Sequence, residues 1–359
     1  MWSPRPTLTE HLAQRILARE RAAVAIALNA ADDARPGARR KALQMLAQIE
    51  SQTAQGGAHR IGLTGAPGAG KSTLLGALLR RLQERGETLG VIAEDPSSPH
   101  SGGALLGDRL RARTALGNFG GAVFFRSLAA RDRLGGLAES ARAAVLVLGA
   151  VFDTVLVETV GVGQSEGEVA DLVDTLIYVA QPGAGDLLQT LKAGVLELPD
   201  LVAVNKADLG PAAAQHQSEL QAGLALTEPR GGWPTPTLLV SAQNGSGIPE
   251  LLQAADRHRA WLQEPASSGA PPRLTARRQT GRDRYVQSAL LHRYGHYGLE
   301  AIGGATQVAA HLAQSPNAPG FQLLQQLSAR IESALTGKPQ PPRSRPRAGG
   351  GTCTTVVCN

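Results

Sequence analysis

Cysteine is nearly absent. The 359-residue chain holds two, Cys353 and Cys358, both close to its end. That excludes a disulfide framework or a zinc site within the body of the chain, and C-x4-C alone is too little to define a metal site in the tail. Aromatic residues make up only 3%. Single-strand nucleic-acid binders interleave stacking aromatics with basic residues, and that pattern is missing. The net charge of +6 is spread along an Ala-, Gly- and Arg-rich chain, with local excess at 39–41, 277–278 and 343–347. No nucleic-acid partner is expected from it. Long apolar runs are missing too, so no segment reads as a membrane span. The first residues carry Glu10 and Arg15 and lack a signal-peptide core. Cys358 is next to last, which does not suit prenylation. The expectation is a cytoplasmic protein with no membrane partner.

Lysine is scarce as well. There are five, Lys41, Lys71, Lys192, Lys206 and Lys338, among 36 basic residues. Two of them fall where arginine would not substitute geometrically. Lys71 lies in Gly65-Ala66-Pro67-Gly68-Ala69-Gly70-Lys71-Ser72-Thr73, which fits G-x-x-x-x-G-K-(S/T). A short apolar run through Ile61, Gly62 and Leu63 precedes it, and Leu74, Leu75, Leu78, Leu79 and Leu82 follow at helical spacing. Strand, glycine loop and helix form a phosphate-binding loop. Gly65, Gly68 and Gly70 let the backbone come close to a polyanion. Loop amides and the helix N-terminus face the phosphates. Lys71 reaches the β- and γ-phosphates, and the Ser72 hydroxyl is placed for Mg²⁺.

Carboxylates recur at strand ends downstream. Residues 89–93 read as a strand that runs into Glu94 and Asp95, with Asp108 beyond a glycine-bearing loop. Asp95 and Asp108 are either Mg²⁺ or water-positioning groups, or caps of the turns that follow them. Further strands are read at 122–125 and 154–157, with a helix at 137–148 between them. The second, nearly all β-branched, ends in Glu158-Thr159-Val160-Gly161. There the carboxylate suits Mg²⁺ or its water, and the Gly161 amide suits the γ-phosphate. Residues 162–166 read as a phosphate-sensing loop. A strand at 176–179 leads to a flexible loop at 182–186 and a helix at 187–198. The strand at 201–204 runs into Asn205-Lys206-Ala207-Asp208. A carboxylate in this N-K-x-D tetrad accepts from guanine N1–H and the 2-amino group, donors that adenine lacks. The Lys206 stem can lie over the base. Ser241 and Ala242 end a last strand at 238–240, and their amides are expected to face guanine O6. A helix follows from the glycines at 245 and 247 to about 261.

This alternation predicts an α/β P-loop NTPase, a mostly parallel β-sheet with helices on both faces, plus N- and C-terminal helical extensions. Residues 1–58 read as a helical extension, with one amphipathic helix from Leu8 to Ala27, a break at Pro36-Gly37 and a second helix through Ala42 to Ile49. Residues 59–265 form the nucleotide domain. After a linker at 267–272, a C-terminal helical region lies within 266–337. Its helices, at 283–334, are broken at Gly303-Gly304 and at 315–320. Residues 338–359, rich in Pro, Arg and Gly, read as disordered.

The runs GLTGAPGAGKST, DPSSPHSGGALLGDR, FFRSLAARDRLGGLA, LVETVGVGQSE, QPGAGDLLQTLKAGVLELPDL, VNKADL and VSAQNGSGI resemble the methylmalonyl-CoA mutase-associated GTPases, the MeaB/ArgK-like family. The resemblance covers about residues 58–255. It implies a chaperone that binds and hydrolyses GTP, cycles between GTP and GDP with Mg²⁺, and serves an adenosylcobalamin-dependent acyl-CoA mutase, with methylmalonyl-CoA mutase as the expected client. It assigns Lys71 and Ser72 to phosphate and Mg²⁺. Asp95, Asp108 and Glu158 become the acidic group around Mg²⁺ and the attacking water, and Asn205, Lys206 and Asp208 read guanine. A partner-facing switch includes Gly183, Gly185, Asp186, Gln189 and Lys192. The family's C-terminal dimerisation implies a homodimer. Departures are Asp132-Arg133 in place of Gly-His, Leu187 in place of an acidic residue, and Glu94 in place of an apolar one. A metallochaperone GTPase for a different metalloenzyme would need Cys/His ligands near the switches, where His100 is the main candidate. An ATP-dependent kinase is opposed by the N-K-x-D tetrad.

Overall fold

The computed structural model describes residues 8–33, 35–53, 57–96, 122–130, 137–159, 165–182 and 197–337. Seven strands form one sheet: β1 His59–Thr64, β2 Leu89–Pro96, β3 Val123–Ala130, β4 Thr154–Glu158, β5 Thr175–Ala180, β6 Leu201–Val204 and β7 Thr237–Leu239. Their order is β3-β2-β4-β1-β5-β6-β7, and every pair is parallel. The central strands β1, β4, β5 and β6 are buried almost throughout, as a parallel sheet covered on both faces requires. β2 and β3 run several residues beyond the expected 89–93 and 122–125. Their ladder continues to Pro96 opposite Ala130, through polar residues such as Glu94, Arg126 and Ser127 that interrupt the apolar signal.

One face packs under α4, Lys71–Glu84, and a later helix, Ile248–Gln263, in a core that includes Leu63, Leu74, Leu78, Ile177 and Leu251. The other face shares its core with the chain's helical ends. There α1 Leu8–Leu17, α2 Arg21–Ala31 and α3 Pro36–Thr53 meet α5 Leu137–Val151 and α6 Ser165–Leu172. The expected single helix from Leu8 to Ala27 is in fact two. It breaks at Arg19, whose φ is 60°. The turn sends the Arg19 guanidinium to the Val151 carbonyl at 2.9 Å and to Asp153 at 2.6 Å, while Arg15 clamps Glu20 at 2.7 and 2.5 Å. Both apolar faces, Ile16 on α1 and Val24 on α2, thereby reach the core. α3 starts at Pro36 itself, since proline is preorganised for a first helical turn.

Numbering the later helices in order, α7 is Pro211–Leu224, α8 is Ile248–Gln263, α9 is Arg273–Glu300, α10 is Gly304–Ala313 and α11 is Gly320–Thr336. The breaks before α10 and α11 fall where glycine and proline foretold them, but α9 also kinks at Gly295, whose φ is 64°, a break the apolar pattern did not show. α9 begins ten residues earlier than its apolar pattern (283 against 273). Its first turns are held by ion pairs instead of apolar contacts. Arg277 grips Asp200 at 2.8 and 2.6 Å, and Arg278 grips Asp174 at 2.8 and 2.7 Å. Asp174 and Asp200 are both buried, at the starts of β5 and β6. Beside them Thr175 Oγ1 bridges His59 Nε2 at 2.8 Å and His258 Nδ1 at 2.9 Å. Burial pushes His59 down to about 3 and His258 down to about 4. Burial alone would raise the Asp174 carboxyl, but the charge and hydrogen bonds of Arg278 override it and hold it below the usual range.

Candidate nucleotide-binding site

The site lies at the opposite, carboxyl edge of the sheet, where open α/β sheets bind ligands. β1 delivers residues 65–70 to the start of α4. Gly65, Gly68 and Gly70 hold φ of 138°, 79° and 89°. A Cβ on Gly65 would stand 2.2 Å from the Val179 carbonyl oxygen, and one on Gly70 would stand 2.5 Å from Asn205 Nδ2. Those two positions exclude side chains by space as well as by conformation. Ala69 is buried, whereas Pro67, Gly68, Ser72 and Thr73 are exposed at the mouth of the loop. Gly70 is the N-cap of α4 and supplies no side-chain cap. The first amides of the helix are thus left to an external anion, which the helix dipole also favours. The buried Lys71 ammonium donates to the carbonyls of Gly65 at 2.7 Å and Ala66 at 3.1 Å, so it is held at the loop itself.

Two of the residues expected to hold Mg²⁺ meet where α4 begins and β4 ends. Ser72 Oγ donates to Glu158 Oε1 at 2.5 Å. Glu158 closes β4, in register with Leu63 on β1 and Ala93 on β2. A hydroxyl and a carboxylate are hard oxygen donors of the kind Mg²⁺ takes. Asp95 sits two positions past Ala93 on β2, at the same end of the sheet. Its side chain lies outside the described residues, as do Asp108, Gly161, Asp132-Arg133, Leu187, His100, most of the helix expected at 187–198, the tail cysteines, and Gly183, Gly185, Asp186, Gln189 and Lys192. Thr159, which sequence reasoning passed over, is buried and binds back to β1. Its amide donates to the Leu63 carbonyl at 3.1 Å, and its hydroxyl reaches Thr64 Oγ1 at 3.3 Å.

The N-K-x-D tetrad is tied to the phosphate loop. Asn205 Nδ2 donates to the Ala69 carbonyl at 2.9 Å, and its Oδ1 accepts from the Ala242 amide at 3.1 Å. Asn205 thus bolts two ligand-facing loops together. Lys206 takes a left-handed backbone, φ 59°. Its ammonium donates to the Gly68 carbonyl at 2.9 Å and to Gln181 Oε1 at 2.6 Å. Asp208 is exposed, and its Oδ1 accepts from Ser241 Oγ at 2.5 Å. The Ser241 amide donates to the Ser246 carbonyl at 2.9 Å. Both loop amides, expected to face guanine O6, are bonded within the protein here, and Asp208 is the exposed member of the trio. The turn is closed by Gly247, where a Cβ would meet the Leu239 carbonyl oxygen at 2.1 Å. Gln181 and Gly247 stand outside the phosphate-loop and N-K-x-D motifs, although each lies in one of the runs that carry the family resemblance. For Gln181 the available signal was its place, a polar residue directly beyond a buried parallel strand.

The sequence matches the family described as methylmalonyl Co-A mutase-associated GTPase MeaB over residues 23–295. A probable GTPase of Mycobacterium tuberculosis is 42% identical over 261 residues, 70% of this chain and 75% of that protein. The mouse protein named methylmalonic aciduria type A homolog, mitochondrial, is 39% identical over 225 residues, 62% of this chain and 52% of that protein. Among solved structures, one titled LAO/AO transport system kinase superposes with a TM-score of 0.60 at 27% identity, covering 92% of this chain and 100% of that one. With a P-loop NTPase sheet, a glycine loop shaped for phosphate and an N-K-x-D tetrad locked beside it, the chain is a nucleotide-binding GTPase and belongs to the methylmalonyl Co-A mutase-associated GTPase MeaB family.

Proposed function

We propose that this GTPase is a chaperone for an adenosylcobalamin-dependent acyl-CoA mutase, with methylmalonyl-CoA mutase as its client. The observation that carries the reading is the family match over residues 23–295, which spans the whole nucleotide site. In this reading Lys71 and the loop amides neutralise the phosphates, and Ser72 and Glu158 hold Mg²⁺ together with Asp95 and Asp108. When bound, Mg²⁺ would supply charge neutralisation at the β- and γ-phosphates. Lys206 and Asp208 select guanine, with Asn205 keeping the two loops in register. Phosphoryl transfer needs little beyond positioning and electrostatics. No arginine finger stands out from the sequence, so slow turnover by the isolated protein is expected. The segment around Gly183, Asp186, Gln189 and Lys192 faces the client. Two copies associate through the C-terminal helices, whose surface exposes Leu291, Tyr297 and Leu335.

The test is GTP turnover alone and with methylmalonyl-CoA mutase, with ATP as the control nucleotide. Acceleration by the mutase with GTP alone is expected. GTP turnover indifferent to the mutase would remove that client, and equal turnover of ATP would remove the guanine reading.

A further inference from the structure

We infer that Gln181 is a positioning residue for guanine recognition, acting through Lys206. The inference rests on the reading of Lys206 and Asp208 as the base-binding pair. Lys206 and Arg19 are the two non-glycine residues with positive φ among those described. A left-handed backbone costs free energy and persists only where its surroundings over-determine it. Here the main chain is pinned on both sides, by Asn205 N to the Ala180 carbonyl at 2.8 Å and by Ala207 N to the Val240 carbonyl at 3.0 Å. The side chain is a different problem. A lysine ammonium on four methylenes swings freely when one acceptor holds it. Two acceptors on two separate elements hold Lys206: the Gly68 carbonyl of the phosphate loop and Gln181 Oε1 beyond β5. Both bonds are charge-assisted, since the same ammonium donates to each, and the Gln181 contact, at 2.6 Å, is the shorter. Together they stretch the aliphatic stem between phosphate loop and β5, two residues before Asp208. That is the flat apolar surface a guanine ring needs beside the carboxylate that reads its edge. Pro182 follows Gln181 and biases its backbone toward the extended form, in line with β5. Gln181 itself touches no reacting atom in this scheme.

The test is a pair of variants at this position, Gln181→Leu and Gln181→Glu, with Asp208→Asn alongside. Leucine keeps the bulk and removes the acceptor. We expect Gln181→Leu to weaken GDP binding and raise KM for GTP about tenfold, with the loss in KM rather than kcat. Gln181→Glu keeps an oxygen for the ammonium and should return both constants to near the native values. A merely structural role would lower the melting temperature of the nucleotide-free protein and depress kcat, and glutamate would not rescue it. That pattern, or an unchanged KM in Gln181→Leu, overturns the inference. Retention of guanine preference by Asp208→Asn would overturn both the inference and the reading beneath it. Loss of preference in Asp208→Asn beside a native KM in Gln181→Leu overturns the inference alone.

Discussion

The two edges of the sheet are built from the same strands and solve opposite problems. β1, β5 and β6 each have polar or charged side chains at or just beyond both ends. At the amino edge Asp174, Asp200, His59 and His258 are buried and turn to partners inside the protein, above all Arg277 and Arg278 of α9. At the carboxyl edge Ser72 and Asp208 are exposed, and the α4 amides have no side-chain cap. A buried charge must be paired within the fold or it is severely destabilising. An exposed one is free to wait for a ligand. One edge therefore holds the C-terminal helices to the nucleotide domain, and the other serves chemistry.

Changes at the carboxyl edge should leave the protein folded, and changes at the amino edge should cost stability. The largest effect is expected for Asp208→Asn. Its amide faces the guanine 2-amino group donor to donor but suits the 2-oxo group of xanthine, so the preference for GTP over XTP should fall by roughly 10⁴, read from kcat/KM. Asp174→Ala comes next, taking from Arg278 its buried carboxylate and from the Arg60 amide its acceptor. It should cost about 3–5 kcal/mol in urea denaturation. Lys71→Ala should lower GTP turnover at least about a hundredfold, with a melting temperature close to native in the nucleotide-free state.

A pH series sharpens the same contrast. Both buried histidines are neutral when folded, at about 3 and about 4, against an ordinary 6.5. Between those values the unfolded chain binds protons that the folded one refuses, so stability is complete above about 6.5 and is lost as the pH falls toward 4. The depressed Asp174 carboxyl adds a further loss below the ordinary carboxylate range. The urea midpoint should follow this course, and His258→Gln should flatten it. The smallest effect is reserved for an exposed pair. Arg81→Ala removes the ion pair with Glu84, whose side chains are 47% and 60% exposed, and should change stability by less than about 1 kcal/mol.

What could be read in advance divides along the same physical line. The phosphate loop, the N-K-x-D tetrad and Glu158 were legible because each needs particular residue types at fixed spacing next to a strand. Parallel sheet and helix order were legible because β1, β4, β5 and β6 are short apolar runs set off by glycine-bearing loops. The break at Arg19 was not, since apolar spacing continues through it and the carbonyl at Val151 and the carboxylate of Asp153 that hold the turn lie far along the chain. The first turns of α9 were hidden for a similar reason, because arginines paired to distant aspartates leave no apolar period.

Sequence alone thus determined the glycine loop, the N-K-x-D tetrad and the class of fold that presents them. Local backbone demands and motif chemistry act over a few residues, so a few residues record them. Tertiary structure alone decided that Asn205 fastens the phosphate loop, that Gln181 holds Lys206, and that α9 is anchored by Asp174 and Asp200. Each of these joins residues distant in the chain, and a hydrogen bond or ion pair of that kind leaves no trace in the spacing of either partner.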